Sequence, residues 1–347
     1  MSKMLKVGLI GYGFAGKTFH APFIVNNPNM VLAKVASRDA EKVHADYPNV
    51  EVVSTPEAVF SDAKIDLVVI PTPNDTHFPL ARAALAAGKH VIVDKPFTLT
   101  SEEAQTLAKQ AKEAELLLSV YHNRRFDSGF LTLKSLFDSG KLGDIKYFET
   151  HFDRYRPFPQ KRWREAATLG SGIWYDLGAH LIDQALQFFG KPTAISADLG
   201  MIRPGSEAVD YFHVQLHYPD VKVVLHATTV AAAESPVYIV HGMKGSYVKY
   251  GLDPQENALK AGQMPMGQSN WGYDSRDGEV ILSQDSGELV IETYPNLAGN
   301  YGDYYDEVAE AIINGGPNPV TAHEAAEVIR IIEAGMKSHE TQQTVSL

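Results

Sequence analysis

The chain opens on an apolar run, Leu5–Ile10, and repeats such runs at Val31–Ala36, Leu67–Ile70, His90–Val93 and Leu116–Val120. Each is short and nearly continuous, as strands buried on both faces should be. Ala-rich stretches with helical spacing lie between them, Phe78–Ala87 and Glu102–Ala114 among them. Alternation of this kind predicts a doubly wound α/β domain with a parallel sheet. Near residue 122 the pattern changes. A helical segment is followed by a long strand over Ile145–Tyr155, a polar loop with Pro and Arg, and a helix over about Asp176–Phe189. Strand-like runs then follow at Ala194–Leu199, Tyr211–Tyr218, Lys222–Thr228, Tyr238–His241, Ser246–Tyr250, Glu279–Leu282 and Glu288–Ile291. Phe212, Val214 and Leu216 alternate with polar neighbours, so this sheet has two different faces. Asp253–Ser275 reads as a long loop, and helices near Asp303–Ile313 and Ala322–Lys337 close the chain. The pattern predicts two domains: residues 1–122 as an α/β domain with a doubly wound parallel sheet, and 123–347 as an α+β domain with a large, mostly antiparallel sheet.

Composition narrows the function. With 347 residues, 44% of them hydrophobic, two sizeable cores are within reach. Acidic residues outnumber basic ones 42 to 31, and the net charge of −11 argues against a general nucleic-acid binder. A local basic pocket remains compatible with that balance. The absence of cysteine excludes disulfides, Cys-ligated zinc, iron–sulfur clusters and a thiol nucleophile. The first apolar stretch is too short and too broken by Gly8 for a signal peptide, and no run reaches the roughly 18 residues of a membrane span. The expectation is a cytoplasmic protein that meets neither membrane nor nucleic acid.

The first strand runs into Gly11-Tyr12-Gly13-Phe14-Ala15-Gly16, with a helix to follow. Gly11 permits the tight turn, Gly13 lets backbone N–H groups approach a pyrophosphate, and Gly16 lets the helix pack on the strand. In this strand–turn–helix setting the motif predicts a dinucleotide site. For NAD, the second strand should end in an acid that accepts from the ribose hydroxyls. Here it ends in Ser37-Arg38, a small hydroxyl beside a guanidinium, which suits a 2′-phosphate. NADP is therefore favoured and NAD remains possible. Arg38 is otherwise a solvated first-turn residue, and Asp39 beside it counts against the phosphate.

Two further strands end in Pro71-Thr72-Pro73-Asn74-Asp75-Thr76-His77 and in Asp94-Lys95-Pro96, where an open α/β sheet meets its ligand. Taken alone, each reads as an ordinary turn before a helix. In Gly170-Ser171-Gly172-Ile173-Trp174-Tyr175-Asp176-Leu177-Gly178-Ala179-His180, Asp176 and His180 are four apart on one helical face. Such a pair can bind a metal, orient a general base or cap the helix, and the local sequence offers no convincing further metal ligand. His213 and His217 share a sheet face and read as structural or interface residues, not as metal ligands.

In this order the motifs resemble the glucose–fructose oxidoreductase and inositol 2-dehydrogenase family (Gfo/Idh/MocA), over essentially the whole chain. Within it the chain is most similar to the NADP-dependent scyllo-inositol dehydrogenase-like branch, on the run His122–Phe126 and the Trp174-Tyr175 pair. Asp94 in place of Glu, and Ser171 within the glycine run, depart from the commonest pattern. The resemblance implies a Rossmann domain, an NAD(P)-dependent oxidoreductase and a catalytic set of Lys95, Asp176 and His180. No metal is implied, because the cofactor carries the electron chemistry. It places the cofactor against Gly11 to Gly16, Ser37, Arg38, Pro71, Thr72, Asn74, His77, Asp94, Lys95, Pro96 and Asn123.

The expected substrate is a small polyhydroxylated ring, a cyclitol or sugar, oxidised at a secondary alcohol. Lys95, Asn123, Asp176 and His180 would meet it, with Tyr155, Arg156 and Trp163 as donors and an aromatic platform. A solvated strand end with a structural Trp is the competing reading of those last three, and Arg156 equally suits a carboxylate or phosphate. Arg124 and Arg125 read equally as site residues or as interdomain ion-pair residues. Dihydrodiol oxidation, redox-assisted glycoside cleavage and non-catalytic NADP sensing are alternatives on the same fold. The resemblance also implies a homodimer or homotetramer formed through the C-terminal sheet.

Overall fold

The computed structural model describes residues 4–265, 268–284 and 286–347. The chain forms two compact units that are not contiguous in sequence. One comprises Met1–Asn123, Gln255–Trp271 and Asn300–Ile329; the other comprises Arg124–Pro254, Gly272–Gly299 and Arg330–Leu347.

In the first unit β1 (Leu5–Ile10), β2 (Met30–Ala36), β3 (Glu51–Val53), β4 (Leu67–Ile70), β5 (His90–Val93) and β6 (Leu118–Val120) form one sheet. Its order is β3-β2-β1-β4-β5-β6 and every pairing is parallel. This is the doubly wound order, with its switch point between β1 and β4. The apolar runs are its core: Leu5, Val7, Leu9, all of β4 and Val91 to Val93 are buried. Strand β3 escapes the sequence pattern because its three residues, Glu51-Val52-Val53, are partly exposed and give neither periodicity nor length.

The late segment completes this unit. Strand β6 would otherwise be a bare sheet edge, a site open to stray pairing. Instead the Val120 N–H donates to the Val320 carbonyl at 3.3 Å, and Asn318 donates to the Leu118 carbonyl at 2.9 Å. Ser119 Oγ donates to the Val320 carbonyl and accepts from Tyr304 Oη, at 3.0 and 2.8 Å. The helix Gly302–Asn314 turns Tyr304, Tyr305, Val308 and Ala309 fully inward. A boundary at residue 122 therefore describes the sheet but not the unit. Within the loop expected over Asp253–Ser275, Gln255–Lys260 is helical, while Met266 and Gly267 lie outside the described residues.

The second unit is built on a nine-stranded sheet: β7 (Ile145–His151), β8 (Ala194–Gly200), β9 (Tyr211–His217), β10 (Lys222–Thr228), β11 (Pro236–Gly242), β12 (Gly245–Tyr250), β13 (Gly278–Ser283), β14 (Leu289–Tyr294) and β15 (Val345–Ser346). Its order is β14-β13-β12-β11-β7-β10-β9-β8-β15, antiparallel throughout except for the β7–β10 pair. Strand β7 stops at His151, short of the expected Tyr155. Beyond it the Asp153 carboxylate accepts from the Thr228 N–H at 3.0 Å, which interrupts the regular ladder, and Tyr155 keeps only an isolated bridge to Val230.

Helix α1 of this unit (Ser128–Asp138) and α2 (Ala179–Phe189) carry Phe130, Phe137, Phe188 and Phe189, which cluster with Phe148 of β7 at centroid distances of 4.9–6.0 Å. Beside that cluster Arg125 donates from Nε and Nη2 to both oxygens of Asp183, at 2.9 and 2.6 Å. Arg124 donates to Asp127 at 3.0 Å. Both of these pairs are buried and lie within this one unit. Replacing Arg125 by Ala takes the fork away from a buried carboxylate. The expected loss of stability is about 3–5 kcal/mol, read from urea unfolding midpoints.

Candidate active site

At the end of β1 the chain turns through Gly11, whose φ of 93° lies in the left-handed region that glycine tolerates. Its N–H donates to the Ala36 carbonyl at 2.8 Å, which ties the turn to β2. A Cβ on Gly16 would lie 2.4 Å from the Gly11 carbonyl oxygen, so only glycine allows the following helix to approach this closely. A Cβ on Gly13 would meet no protein atom within 4 Å. It points into open space, where a ligand's phosphates can come close to the backbone. Tyr12 is turned inward and its hydroxyl donates to Asp46 at 2.8 Å, while Phe14 is largely exposed. The helix after the turn is wide over Gly16–His20 and becomes regular over Ala21–Asn26.

The turn forms one wall of a cleft with about 520 Å³ of internal space, within the usual range of ligand sites. Ser37, Arg38, Asp39, Lys42, Thr72 and Pro73 also line it. Ser37 Oγ accepts from the Asp39 N–H at 3.1 Å. Asp39 caps the next helix, its carboxylate accepting from the Lys42 N–H at 3.0 Å. The acid beside Arg38 thus has a structural task. Lys42 adds a second cation to this end of the cleft, which the sequence reading did not include.

The loops after β4 and β5 are joined by His77. The ring is fully buried, with Nδ1 2.8 Å from the Pro96 carbonyl and Nε2 2.9 Å from the Thr72 carbonyl. Burial holds its pKa below the usual imidazole value. A neutral imidazole has one N–H, so His77 donates to one of the two carbonyls; its fully buried ring is a strut between the loops rather than the expected side-chain contact to a cofactor. Asn74 is likewise buried. The Lys95–Pro96 peptide is cis. Asp94 accepts from the Lys95 N–H at 2.7 Å, and its other oxygen lies 3.5 Å from Nε2 of His20. Burial pushes the Asp94 carboxyl up, but His20 and the Lys95 charge outweigh it and hold the group below its ordinary value. His20 Nδ1 lies 2.6 Å from the Tyr305 hydroxyl. His20, which lies between Asp94 and Tyr305, was not read from the sequence, although it stands four residues after Gly16 and faces inward with it.

In the second unit Asp176 lies in a wide π-type turn, Trp174–Gly178, that leads into α2. Such turns often occur at functional sites. Close packing fixes this one. Trp174 Nε1 donates to the Ile332 carbonyl at 3.0 Å, and a Cβ on Gly178 or Gly335 would lie 2.6 Å from the Trp174 ring. Gly172 (φ 80°) passes so close to Val209 that a Cβ would meet its backbone at 2.8 Å. His180 follows on the regular helix, buried, with its ring stacked toward Phe152 at 6.4 Å. Tyr155 and Trp163 are exposed, and Arg164 lies 4.4 Å from the Trp163 ring.

One cluster in this unit lies outside the expected catalytic set. His151 Nε2 lies 2.8 Å from Glu149, Nδ1 lies 3.2 Å from Asp153, and His226 Nε2 lies 3.6 Å from Asp153. Burial pushes the His151 pKa down, but the two carboxylates outweigh it and raise it to about 9. The His151 contact holds Glu149 down at about 2. An imidazolium between two carboxylates accounts for these short contacts.

Residues 5–122 match the family model for the oxidoreductase-family, NAD-binding Rossmann fold, and residues 134–347 match that for its C-terminal alpha/beta domain. The chain belongs to the Gfo/Idh/MocA oxidoreductase family. It is 54% identical to the uncharacterized oxidoreductase YdgJ of Escherichia coli (strain K12), over the full length of both. It is 42% identical to the scyllo-inositol 2-dehydrogenase (NADP(+)) IolW of Bacillus subtilis (strain 168), over 99% of this chain and 96% of that protein. A Yersinia pestis structure described as an oxidoreductase superimposes with a TM-score of 0.96 at 57% identity, covering 100% of this chain and 98% of that one.

Within this Gfo/Idh/MocA chain, the structure brings Gly11, Tyr12, Gly13, Ser37, Arg38 and Thr72 together around one cleft. Gly16 and Pro71 stand behind it, where a Cβ on Gly16 would lie 3.3 Å from Pro71. Lys95, Pro96 and Asn123 belong to the same unit, whereas Tyr155, Arg156, Trp163, Asp176 and His180 belong to the other. Among the described residues no helix is long and apolar enough to cross a membrane.

Two outcomes follow from this geometry. Gly16→Ala forces the helix away from the Gly11 carbonyl; an overpacking cost of about 1–3 kcal/mol is expected in thermal unfolding, with weakened cofactor binding by fluorescence titration. The His151 pKa is raised on folding, so its stabilisation is complete below about pH 6.5 and is lost as pH rises through about 9. The melting-temperature gap between wild type and His151→Gln should therefore be widest near pH 6 and close above pH 9.

Proposed function

We propose that the protein is an NADP-dependent dehydrogenase, transferring hydride between nicotinamide C4 and a secondary alcohol or ketone of a cyclitol or sugar, with scyllo-inositol as the leading candidate. The observation that carries this reading is the cleft beside Gly11 and Gly13, whose far end pairs small Ser37 with the cations Arg38 and Lys42. A 2′-phosphate fits such an end better than a bare ribose does, because guanidinium and ammonium groups form charge-assisted bonds to it. The 42% identity to the NADP-dependent IolW supports the same cofactor and substrate class.

When bound, the nicotinamide supplies or accepts the hydride. The protein's part is to orient the substrate and manage one proton. We assign that proton to His180, since an imidazole exchanges protons near neutral pH. The Lys95 ammonium would hold the reacting hydroxyl and stabilise its developing negative charge. Asp176 would anchor a neighbouring hydroxyl. Asn123, Tyr155, Arg156 and Trp163 remain candidates for the substrate's other contacts. A working homodimer or homotetramer, paired through the nine-stranded sheet, belongs to the same proposal; exposed Leu289 and Ile291 on β14 support it, and light scattering on the purified protein counts the copies.

The reading is tested by following nicotinamide absorbance while NADP and NAD are each offered with inositol isomers and common aldoses. Turnover of a cyclitol with NADP is expected. Turnover with NAD alone would overturn the role of Arg38 and Lys42. Tight NADP binding without turnover of any pair would favour a sensing role instead. Lys95→Ala should lower kcat by at least about a hundredfold while changing NADPH affinity by less than about threefold. Equal loss of both would remove Lys95 from the chemistry.

A further inference from the structure

Strand β7 turns Phe148 toward Phe188 and Phe189 of α2. Side chains alternate along a strand, so Glu149 and His151 leave from its other face. On the neighbouring strand β10, His226 is in register with His151, which sets the two imidazoles side by side with centroids 4.9 Å apart. Just past the end of β7, Asp153 reaches both rings. Its Oδ2 lies 3.2 Å from His151 Nδ1, and its Oδ1 lies 3.6 Å from His226 Nε2. The three side chains are 9–16% exposed, largely out of water yet still reachable from it.

A proton on His151 explains the contacts of that ring but not the state of His226. Among the described residues, Nδ1 of His226 is buried with no hydrogen-bond partner, and Nε2 stands farther from Asp153 than a hydrogen bond allows. Buried nitrogens are rarely left in that state. One donor atom from each of His151, Asp153 and His226 can be chosen so that all three lie within 4.8 Å of one another. Ligands of a tetrahedral zinc ion stand about 3.3 Å apart when their bonds are near 2.0–2.1 Å. The two His–Asp separations, 3.2 and 3.6 Å, bracket that spacing. Behind the cluster, Glu149 Oε1 lies 2.8 Å from Nε2 of His151. A carboxylate that accepts the second ring N–H is what a metal-binding histidine usually has behind it. Asp153 is itself held by the Thr228 N–H at 3.0 Å.

We propose that His151, Asp153 and His226 bind one divalent transition-metal ion of the zinc class, with water completing the coordination. The ion takes the place of the proton on His151 Nδ1, which passes to solvent, while Glu149 keeps the proton on Nε2. Two imidazoles and one carboxylate suit zinc better than magnesium or calcium, which take oxygen ligands. The ion clips β7 to β10, the parallel pair of this sheet, at the end where Asp153 interrupts the ladder. Its role is structural and lies apart from the hydride chemistry, whose cofactor needs no metal.

The test is equilibrium dialysis of the full-length protein, stripped with EDTA, against zinc. The chain has no cysteine, so thiols cannot compete for the ion. One zinc per chain is expected, with a Kd below about 50 μM. His226→Gln and His151→Gln should each weaken binding by at least about tenfold. His213→Gln, which changes the exposed histidine opposite His226 on β9, should alter it by less than about threefold. Zinc should also raise the melting temperature of the wild type and leave that of either ligand variant unmoved. Circular dichroism of each metal-free variant checks its fold, and Asp153→Asn replaces either one that does not fold. Weaker binding by the wild type overturns the proposal whatever the variants do. So does binding that the ligand substitutions leave unchanged, since that is zinc on other surface histidines.

Discussion

The contact on which the first unit depends is the approach of Gly16 to the carbonyl oxygen of Gly11, too close for any side chain at residue 16. It presses the first helix against the strand end, and the rest of the cleft is arranged around that approach. Pro71 packs behind it, His77 ties the neighbouring loop to Pro96, and His20 reaches Asp94 from the helix that Gly16 begins. A backbone fixed in this way leaves Gly13 as the open position, where ligand phosphates can approach without displacing protein. The chemistry of the cleft is thus a consequence of packing behind it.

The second unit uses a related device. Trp174 is clasped between Gly178 and Gly335, with its N–H on the Ile332 carbonyl. The ring is large, buried and satisfied, so the wide turn that carries Asp176 has little freedom to regularise. The forked bond between Arg125 and Asp183 then secures the helix further along. In both units glycines admit a close neighbour, and a nearby polar side chain makes the resulting geometry specific.

These features differ in how far they can be read from sequence. Strands β1, β4 and β5 are legible because burial on both faces leaves continuous apolar runs. The glycine turn is legible because its spacing follows from backbone geometry. Strand β3 is not, since three half-exposed residues carry no period. His77 has the motif position of a cofactor contact but the environment of a core residue; only the carbonyls placed against both nitrogens distinguish the two. Asp39 weakened the cofactor reading until its capping role emerged, and Lys42 became relevant only once α-helical winding brought it to the same cleft. The carboxylates around His151 come from Glu149 within β7 and from Asp153 just past its end, yet His226 comes from the neighbouring strand, a pairing no local pattern encodes.

The discontinuity of the first unit bears on how the protein is made. Its sheet is encoded in the first third of the chain, but the residues that cover β6 and pack beside His20 lie between Asn300 and Ile329. During synthesis the parallel sheet emerges early, with its last edge bare and the space for Tyr304 and Tyr305 unfilled. Contacts spanning almost the whole chain must close before that unit is complete, a topology that favours slow folding and late commitment. A nascent chain halted before Asn300 therefore presents an apolar, unpaired surface to chaperones, and final consolidation of the nucleotide-binding unit awaits the segment Asn300–Ile329.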